Sequence, residues 1–303
     1  MTVVRHPLTT ILAFCFLSST GLAVDVLTGR YNNARTSWNA SETTLTPANV
    51  NASSFGLIMN LPVDGQVYAQ QLYVSSAQVY SGGQLQGTHN LVIVATEHDS
   101  LYAFDADSGT LYWQSSMLGS GEVPSDSRNC SDLTPEIGIT ATPVIDRSAG
   151  PNGTIYVVAV SKTSNSSSYF ARLHAVDLGT GQDRLTPVVI QATYPDPGGH
   201  FPAQLQDGKG NVVFDPRYER NRAGLVLSNG VIYTCWALIY CEGLGAGWVI
   251  AYDQTTLNPR YRITTDPDGT PTASNYNLPN GSGGGIWMSG SAPEPFEIGR
   301  AHV

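Results

Sequence analysis

The sequence predicts an all-β protein built from repeated four-stranded antiparallel units, and three observations support this fold class. A short motif ending in a tight turn occurs three times, at intervals of 72 and 76 residues. Each copy lies among short apolar runs of strand length, separated by turn residues. Charged residues make up only 13% of the chain while glycine numbers 31, a balance that suits turn-rich β-structure rather than long amphipathic helices.

The motif combines a small residue, an aspartate and a turn. Its three copies are Ala103-x-Asp105-x-x-Ser108-Gly109-x-x-x-Trp113, Ala175-x-Asp177-x-x-Thr180-Gly181-x-x-x-Leu185 and Ala251-x-Asp253-x-x-Thr256-Leu257-x-x-x-Tyr261. Alanine lets neighbouring strands approach closely, aspartate can accept backbone N–H groups, and Ser/Thr-Gly makes the turn. Trp113 offers a large flat surface for packing against the next unit. The second copy lacks the tryptophan, and the third lacks both the glycine and the tryptophan.

Four strands are predicted for each unit, and the third strand of each carries the motif. The first strands are Val67–Val74, Ile139–Asp146 and Gly224–Leu227; the second are Leu91–Ala95, Thr154–Val160 and Val231–Trp236; the fourth are Leu111–Met117, Thr186–Ala192 and Tyr261–Thr264. Four strands per unit, with three units in a row, are typical of β-propeller blades. We also expect Gly285–Gly290 to begin a fourth blade, and Phe55–Val63 to be an N-terminal strand that completes the last blade.

This repeat resembles the tryptophan-docking motif of the quinoprotein alcohol dehydrogenase-like superfamily, the β-propellers named for pyrroloquinoline quinone (PQQ). The resemblance covers roughly residues 60 to 290, and the first copy matches best. It implies antiparallel four-stranded blades arranged around an axis. About three blades and the start of a fourth are present, so we expect a fragment of a larger propeller.

The chain divides into three predicted parts. Residues 1–23 form a signal peptide with Arg5 in its basic end, Leu8–Leu17 as its apolar segment and a small-residue cleavage site at Gly21–Ala23. Residues 24–296 form the partial PQQ-like propeller. The last seven residues, 297–303, resemble a translated sequencing adapter, and we expect them to be non-native.

Composition excludes some partners and predicts a compartment. The net charge is −9 without any basic cluster, which argues against nucleic acid, and no segment after the signal is long and apolar enough to span a membrane. Six glycosylation sequons, together with the signal peptide, predict a secreted extracellular glycoprotein: Asn39, Asn51, Asn129, Asn152, Asn165 and Asn280.

Three cysteines remain after the signal is removed. We expect Cys235 and Cys241 to form a disulfide because they flank a turn between two strands of the third blade. A disulfide between Cys130 and either of the other two remains open.

The densest ionisable cluster is Glu97-His98-Asp99, at the turn between two strands of the first blade. These residues either line the funnel at one end of the propeller, where a histidine could exchange protons near neutral pH, or are polar because the turn meets water. Trp287 completes the candidate pocket, since it could stack on a sugar ring or a planar quinone. For Trp287, as for Trp236 and Trp248, core packing is the other interpretation.

No metal site is predicted. Asp105-x-Asp107-x-Gly109 and Asp266-x-Asp268-Gly269 lack the later bidentate glutamate of a calcium loop, so turn chemistry explains both. No Cys/His spacing suggests zinc.

The resemblance implies two alternative functions. Dehydrogenases of the superfamily hold PQQ and calcium on the axis with an aspartate base, glutamate and asparagine ligands and an adjacent cysteine pair, whereas other members only bind partners. This chain has no adjacent cysteine pair, and we can assign no catalytic residue by motif. We therefore expect a secreted propeller that binds a protein or glycan through its long loops. The alternative is a PQQ- and calcium-dependent dehydrogenase that oxidises alcohols or sugars.

Overall fold

The computed structural model describes residues 24–127, 133–238, 245–265, 284–288 and 290–294. Within these ranges the chain forms antiparallel β-sheets, and the one helical element is a 3-10 turn at Ala203–Leu205. The predicted all-β fold class, with blade-like antiparallel sheets, is confirmed. The described sheets follow one another in series and do not close into a ring.

Blade one is a four-stranded meander whose strands pair in chain order. Its strands are β1 (Leu72–Ser81), β2 (Gln84–Ala95), β3 (Ser100–Asp105) and β4 (Leu111–Ser116). The predicted strand at Val67 begins five residues too early, and the hairpin that joins β1 to β2 was not predicted. It forms because Ala77 and Val79 point into the core while Gln78, between them, faces outward.

Blade two contains more strands than predicted. They are β5 (Glu122–Asp126), β6 (Glu136–Ile137), β7 (Val144–Asp146), β8 (Thr154–Thr163), β9 (Tyr169–Asp177) and β10 (Val188–Val189). The sheet runs β10-β9-β8-β5-β6, and β7 pairs with the other half of β8. The extra strand β5 exists because β8 is long enough to pair with two segments: Glu122 lies opposite Thr163, and Asp146 lies opposite Thr154.

Blade three follows a small two-stranded sheet. The small sheet contains β11 (Thr193–Pro195) and β12 (Asn211–Val213); the blade contains β13 (Glu219–Arg220), β14 (Val226–Ser228), β15 (Val231–Leu238), β16 (Trp248–Asp253) and β17 (Pro259–Thr264). The blade runs β13-β15-β16-β17, with β14 also paired to β15.

The three repeat motifs form the same turn. Asp105 Oδ1 accepts the backbone N–H groups two and three residues later at 3.0 and 2.7 Å. Asp177 and Asp253 each accept the corresponding pair at 3.0 Å. The motif alanines Ala103, Ala175 and Ala251 are all fully buried in the third strands. The aspartates therefore end these strands by satisfying the backbone donors of the turn.

The glycine position of the motif is left-handed in every copy. Gly109 has a φ of 75°, Gly181 of 72° and Leu257 of 56°. A leucine in this region is strained, because its β-carbon crowds the backbone. Its fully buried side chain packs into the core between blades two and three, and this burial offsets the strain.

Residues 55–63 do not form the predicted strand. They have no regular secondary structure, although Leu61 and Val63 pack against an apolar face of blade one formed by Val94, Tyr102 and Phe104. This segment nevertheless contacts the repeat turn of blade one in the way that the fourth strand of blade one contacts the repeat turn of blade two. Met59 and Leu61 are the nearest side chains to Gly109, as Trp113 and Ser115 are to Gly181.

The N-terminal segment runs along one strand of each blade, β1, β7 and β14, which we call the inner strands. Val26 pairs with Tyr73 on β1, and the Leu27 carbonyl accepts the N–H of Ile145 on β7 at 2.8 Å. Further along, Asn33 donates to the Leu227 carbonyl on β14 at 3.2 Å. This segment therefore connects three blades by hydrogen bonds.

Residues 284–288 occupy the place of an incoming inner strand. The Ile286 N–H donates to the Trp236 carbonyl at 3.1 Å, just as the Ile139 N–H donates to the Thr96 carbonyl at 3.1 Å where blade two begins. The predicted start of a fourth blade therefore has the same backbone contact as the start of blade two.

Candidate binding surface at one end of the blades

The predicted pocket residues lie at the end of the blades that carries the β2–β3 turn and the segments entering the next blade. Glu97, His98 and Asp99 form the turn, and Trp287 lies on the segment that follows blade three. We call this end the Glu97 end. The β1–β2 turns and the repeat-motif turns lie at the other end, because neighbouring antiparallel strands reverse direction.

Glu97 is completely buried. Its Oε2 accepts the Gly138 N–H at 2.7 Å and the Thr140 hydroxyl at 2.9 Å, while Oε1 has no partner among the described residues. Burial raises the pKa of Glu97 to about 7, against the opposing effects of these hydrogen bonds and of the charges on Arg222 and Arg220. A carboxyl with this pKa exchanges its proton near neutrality.

Asp99 is also completely buried and has a left-handed φ of 56°. Neither of its carboxyl oxygens has a hydrogen-bond partner among the described residues. Burial, and next the charge of Glu97, raise the pKa of Asp99 well above its ordinary value. The Val160 N–H lowers the pKa of Asp99, although its position relative to the carboxyl does not meet the geometry of a hydrogen bond. The two carboxyls therefore cannot both be ionised at neutral pH without a large cost.

Gly138 explains why this turn is buried. A β-carbon at position 138 would stand 2.4 Å from the Glu97 carbonyl oxygen and 2.7 Å from Asp99 Oδ1. Only glycine lets the chain entering blade two come this close. Contact with water therefore does not explain why this turn contains Glu97 and Asp99, since both side chains are buried. The sequence interpretation missed Gly138 and Thr140 because they lie in the next blade.

His98 differs from its two neighbours. Its side chain is about half exposed, and Nδ1 faces Glu136 Oε1 at 2.9 Å. Glu136 begins the same segment that delivers Gly138, so the turn contacts blade two on both its buried and its exposed sides. The histidine is thus the member of the predicted cluster that solvent reaches.

Arg222 connects Trp287 to this cluster. Its guanidinium carbon lies 5.8 Å from the Trp287 ring centroid and 6.0 Å from that of Tyr68, within cation–π range. Its positive charge also opposes the rise in the pKa of Glu97, so the same guanidinium acts on Trp287 and on that buried carboxyl. Tyr68 is 42% exposed, and Arg222 and Trp287 are half-buried. Tyr68 and Arg222 were not singled out in the sequence, since an isolated tyrosine or arginine carries no motif.

The other two candidate tryptophans belong to the core. Trp236 and Trp248 are fully buried, and both pack edge-on against Phe214. Trp236 Nε1 donates to the Thr234 hydroxyl at 2.9 Å. Of the two interpretations open for these rings, core packing is the one that the structure shows.

Glu219 is a further buried carboxyl, which the sequence interpretation did not single out. It accepts the N–H groups of Asp215 at 3.0 Å and Ala246 at 3.2 Å, and burial raises its pKa well above the ordinary value. Both contacts are to loops of blade three. Its position indicates a structural role.

Some of the predicted disulfide and glycosylation residues lie outside the described part of the chain. Cys235 is buried without a disulfide partner among the described residues, and burial raises its pKa to about 12; Cys130 and Cys241 lie outside them. Asn129, Asn280, the signal peptide and residues 297–303 also lie outside. Asn39, Asn51 and Asn165 are at least partly exposed, whereas the Asn152 amide donates to both carboxyl oxygens of Asp177 at 3.0 and 3.1 Å.

No described residue can be assigned to the calcium site that the dehydrogenase alternative requires. Glu97 and Asp99 are two buried carboxyls with free oxygens, but no group of three or more His, Cys, Asp or Glu within the described ranges is arranged to hold a metal ion. Calcium takes six to eight oxygen ligands. We therefore derive no step through PQQ or calcium.

No protein-family model matches the chain, and no curated protein matches it. Among solved structures it is similar to the quinohemoprotein alcohol dehydrogenase of Comamonas testosteroni, at 14% identity and a TM-score of 0.40 over 82% of this chain and 42% of that one. It is similar to a quinohemoprotein alcohol dehydrogenase of Pseudomonas putida HK5, at 10% identity and a TM-score of 0.36 over 65% and 31%. It is also similar to BamB of Moraxella catarrhalis, at 11% identity and a TM-score of 0.20 over 66% and 75%.

The chain thus spans less than half the length of the two dehydrogenases. Identities and TM-scores this low say nothing about activity. Separately, no helix in the described part of the chain is long and apolar enough to cross a membrane.

Proposed function

We propose that this protein is a binding module, and that it recognises an acidic segment of a partner protein through the surface formed by Tyr68, Arg222 and Trp287. The observation that carries this proposal is the position of the Arg222 guanidinium over two aromatic rings, without an ion-pair partner among the described residues. An arginine held in this way keeps its donors available for a carboxylate.

The residue types support a protein partner. Tryptophan, tyrosine and arginine are the residues most enriched in binding hot spots, where they combine a large contact area with directional donors. Here all three meet at one place and remain partly exposed.

The buried Glu97 carboxyl supports it in a second way. Burial raises the pKa of Glu97 to about 7, so this carboxyl is largely neutral in mildly acidic solution and does not neutralise Arg222 there. The surface should therefore hold an anionic group more tightly below pH 7 than above it.

Poly-L-glutamate is a suitable probe for this proposal. We expect the full chain to bind it in low salt, and we expect Arg222→Ala to weaken binding about tenfold, which corresponds to the loss of about 1.4 kcal/mol. Arg260→Ala is the matched control, since Arg260 is already engaged by Asp253 at the other end of the blades. Equal loss in both variants would indicate nonspecific charge attraction and contradict the proposal.

A polygalacturonate titration distinguishes the glycan interpretation. Binding of this acidic glycan through Arg222, without binding of poly-L-glutamate, would replace the protein partner by a glycan.

Secretion is a separate proposal, which the predicted signal peptide and sequons support. N-terminal sequencing of the mature protein from its host would test it.

A further inference from the structure

A second concave site lies at the other end of the blades, between the N-terminal segment and the inner strands of blades two and three. It is a cavity of about 590 Å³, within the range of about 300–1,000 Å³ that small organic ligands occupy. The turn after β7 and the turn between β14 and β15 form two of its walls, and residues 25–33 form the third. None of the residues of the Glu97 end lines it.

The cavity presents hydrogen-bonding groups that the protein leaves free. Neither the Tyr31 hydroxyl nor the side-chain amide of Asn229 forms a hydrogen bond with a described residue. Asn33 and Gln254 each use only their N–H₂ groups, on the Leu227 carbonyl and on Asp146, so their amide oxygens remain available. One phenol and three carboxamides therefore provide both donors and acceptors around a single space.

The charges of the cavity select against anions. Asp25 is paired with Arg147 at 2.6 Å, whereas Asp146 accepts only from neutral groups of Ser148 and Gln254. Burial opposes ionisation of both aspartates, but these hydrogen bonds hold their pKa values below the ordinary range. Two carboxylates and one guanidinium leave one net negative charge, which favours a neutral ligand over an anionic one.

Tyr31 is held at the cavity under backbone strain. Its φ is 77°, a value that is a genuine outlier for a bulky residue. The segment is fixed on both sides, because the Arg30 N–H donates to Gln70 at 2.8 Å and Arg35 donates to the hydroxyl of Thr28 and the carbonyl of Gly29 at 2.7 and 2.8 Å. Strain of this kind persists where surrounding contacts over-determine it, and it is common at ligand sites.

We propose that this cavity binds a neutral saccharide of about disaccharide size. A sugar presents many hydroxyls, each both donor and acceptor, which match the free carboxamides of Asn33, Asn229 and Gln254. Its C–H face suits the half-buried ring of Tyr31.

The experiment uses the full chain and two neutral disaccharides, maltose and cellobiose, with glucuronate as an anionic comparison. Saturation-transfer NMR detects contact, and calorimetry gives the affinity. Tyr31→Gly and Asn229→Gly remove the ring and the amide while easing a left-handed backbone, so neither should unfold the protein. We expect each to weaken disaccharide binding about tenfold, and we expect glucuronate to bind more weakly than either disaccharide.

Ser166→Gly is the matched control, because Ser166 has a left-handed φ of 57° and lies on a hairpin away from the cavity. It should leave disaccharide binding unchanged, as should Arg222→Ala, whose effect belongs to the other end. Failure of the folded chain to bind either disaccharide would overturn the proposal, and so would unchanged affinity in both cavity variants. Neither result would bear on the poly-L-glutamate experiment.

Discussion

The indole of Trp113 lies directly on Gly181, so that a β-carbon at position 181 would stand 2.6 Å from two of the ring carbons. The indole N–H donates to the Leu178 carbonyl at 3.2 Å, and the Ser115 hydroxyl donates to the Gly181 carbonyl at 2.6 Å. The fourth strand of blade one is thereby fixed to the repeat turn of blade two. This contact is the physical reason why the motif contains both a glycine and a tryptophan.

Gly181→Ala should destabilise the protein more than the same change at another left-handed glycine. We expect a loss of about 1–2 kcal/mol in the free energy of unfolding from the backbone, and about 1–3 kcal/mol more from the clash with Trp113. Gly121→Ala is the control, since its φ of 76° matches the 72° of Gly181 and no atom lies within 4 Å of its added carbon. Urea unfolding of both variants measures the difference, and equal losses would contradict the docking interpretation.

Trp113→Ala should remove this contact from the other side. The ring is 7% exposed, and its loss leaves a cavity and an unsatisfied Leu178 carbonyl, so we expect a loss of about 3–5 kcal/mol. Leu111→Ala on the same strand is 47% exposed and should cost less than about 1 kcal/mol. In the double variant with Gly181→Ala the two losses should be less than additive, because one contact serves both residues.

Leu257→Gly tests the copy that departs from the motif. Glycine would relieve about 1–2 kcal/mol of left-handed strain, but it would remove a fully buried side chain worth about 2–5 kcal/mol. We therefore expect a net loss of stability of roughly 1–3 kcal/mol by thermal and urea unfolding. Asn229→Gly, at an exposed left-handed position, should be neutral or slightly stabilising, and a gain of stability in Leu257→Gly would show that burial is not the deciding effect.

Glu97→Gln tests the buried carboxyl through pH. An exposed glutamate ionises near pH 4.5, whereas burial raises the pKa of Glu97 to about 7, so the folded state binds more protons than the unfolded state between these values. The stability that this group contributes is fully present below the lower value and is lost as pH rises through the upper one. The variant keeps an acceptor for Gly138 and cannot ionise.

The variant should therefore lose less stability than the wild type between about pH 4 and pH 8, by up to about 3 kcal/mol. The variant leaves the other charged groups around Glu97 and Asp99 unchanged. These groups are Glu136, Glu122, Arg220 and Arg222. Glu122→Gln is the control of opposite sign. Arg172 and Ser161 hold the pKa of Glu122 below its ordinary value despite partial burial, so that variant should be least stable, relative to wild type, at neutral pH. Parallel pH profiles of Glu97→Gln and wild type would contradict the assignment.

The repeat turn was predictable because its causes are local. Asp105 and the two N–H groups that it accepts lie within four residues, and the same spacing recurs at Asp177 and Asp253. The candidate pocket was predictable only as a group of residue types. A polar turn that meets water and a polar turn that the next blade buries can have the same local sequence. Here Gly138, forty-one residues from Glu97, decides that the turn is buried.

The sequence by itself determined the all-β class, the period of the blades and the turn chemistry, because hydrophobic runs and Asp-x-x-Ser/Thr-Gly spacing act over a few residues. Only the tertiary structure decided that Glu97 and Asp99 are buried, that Arg222 faces Tyr68 and Trp287, and that Tyr31 and Asn229 share a cavity. These relationships depend on how one blade packs on the next and on the path of the N-terminal segment. They join residues far apart in the chain, whose proximity no local pattern encodes.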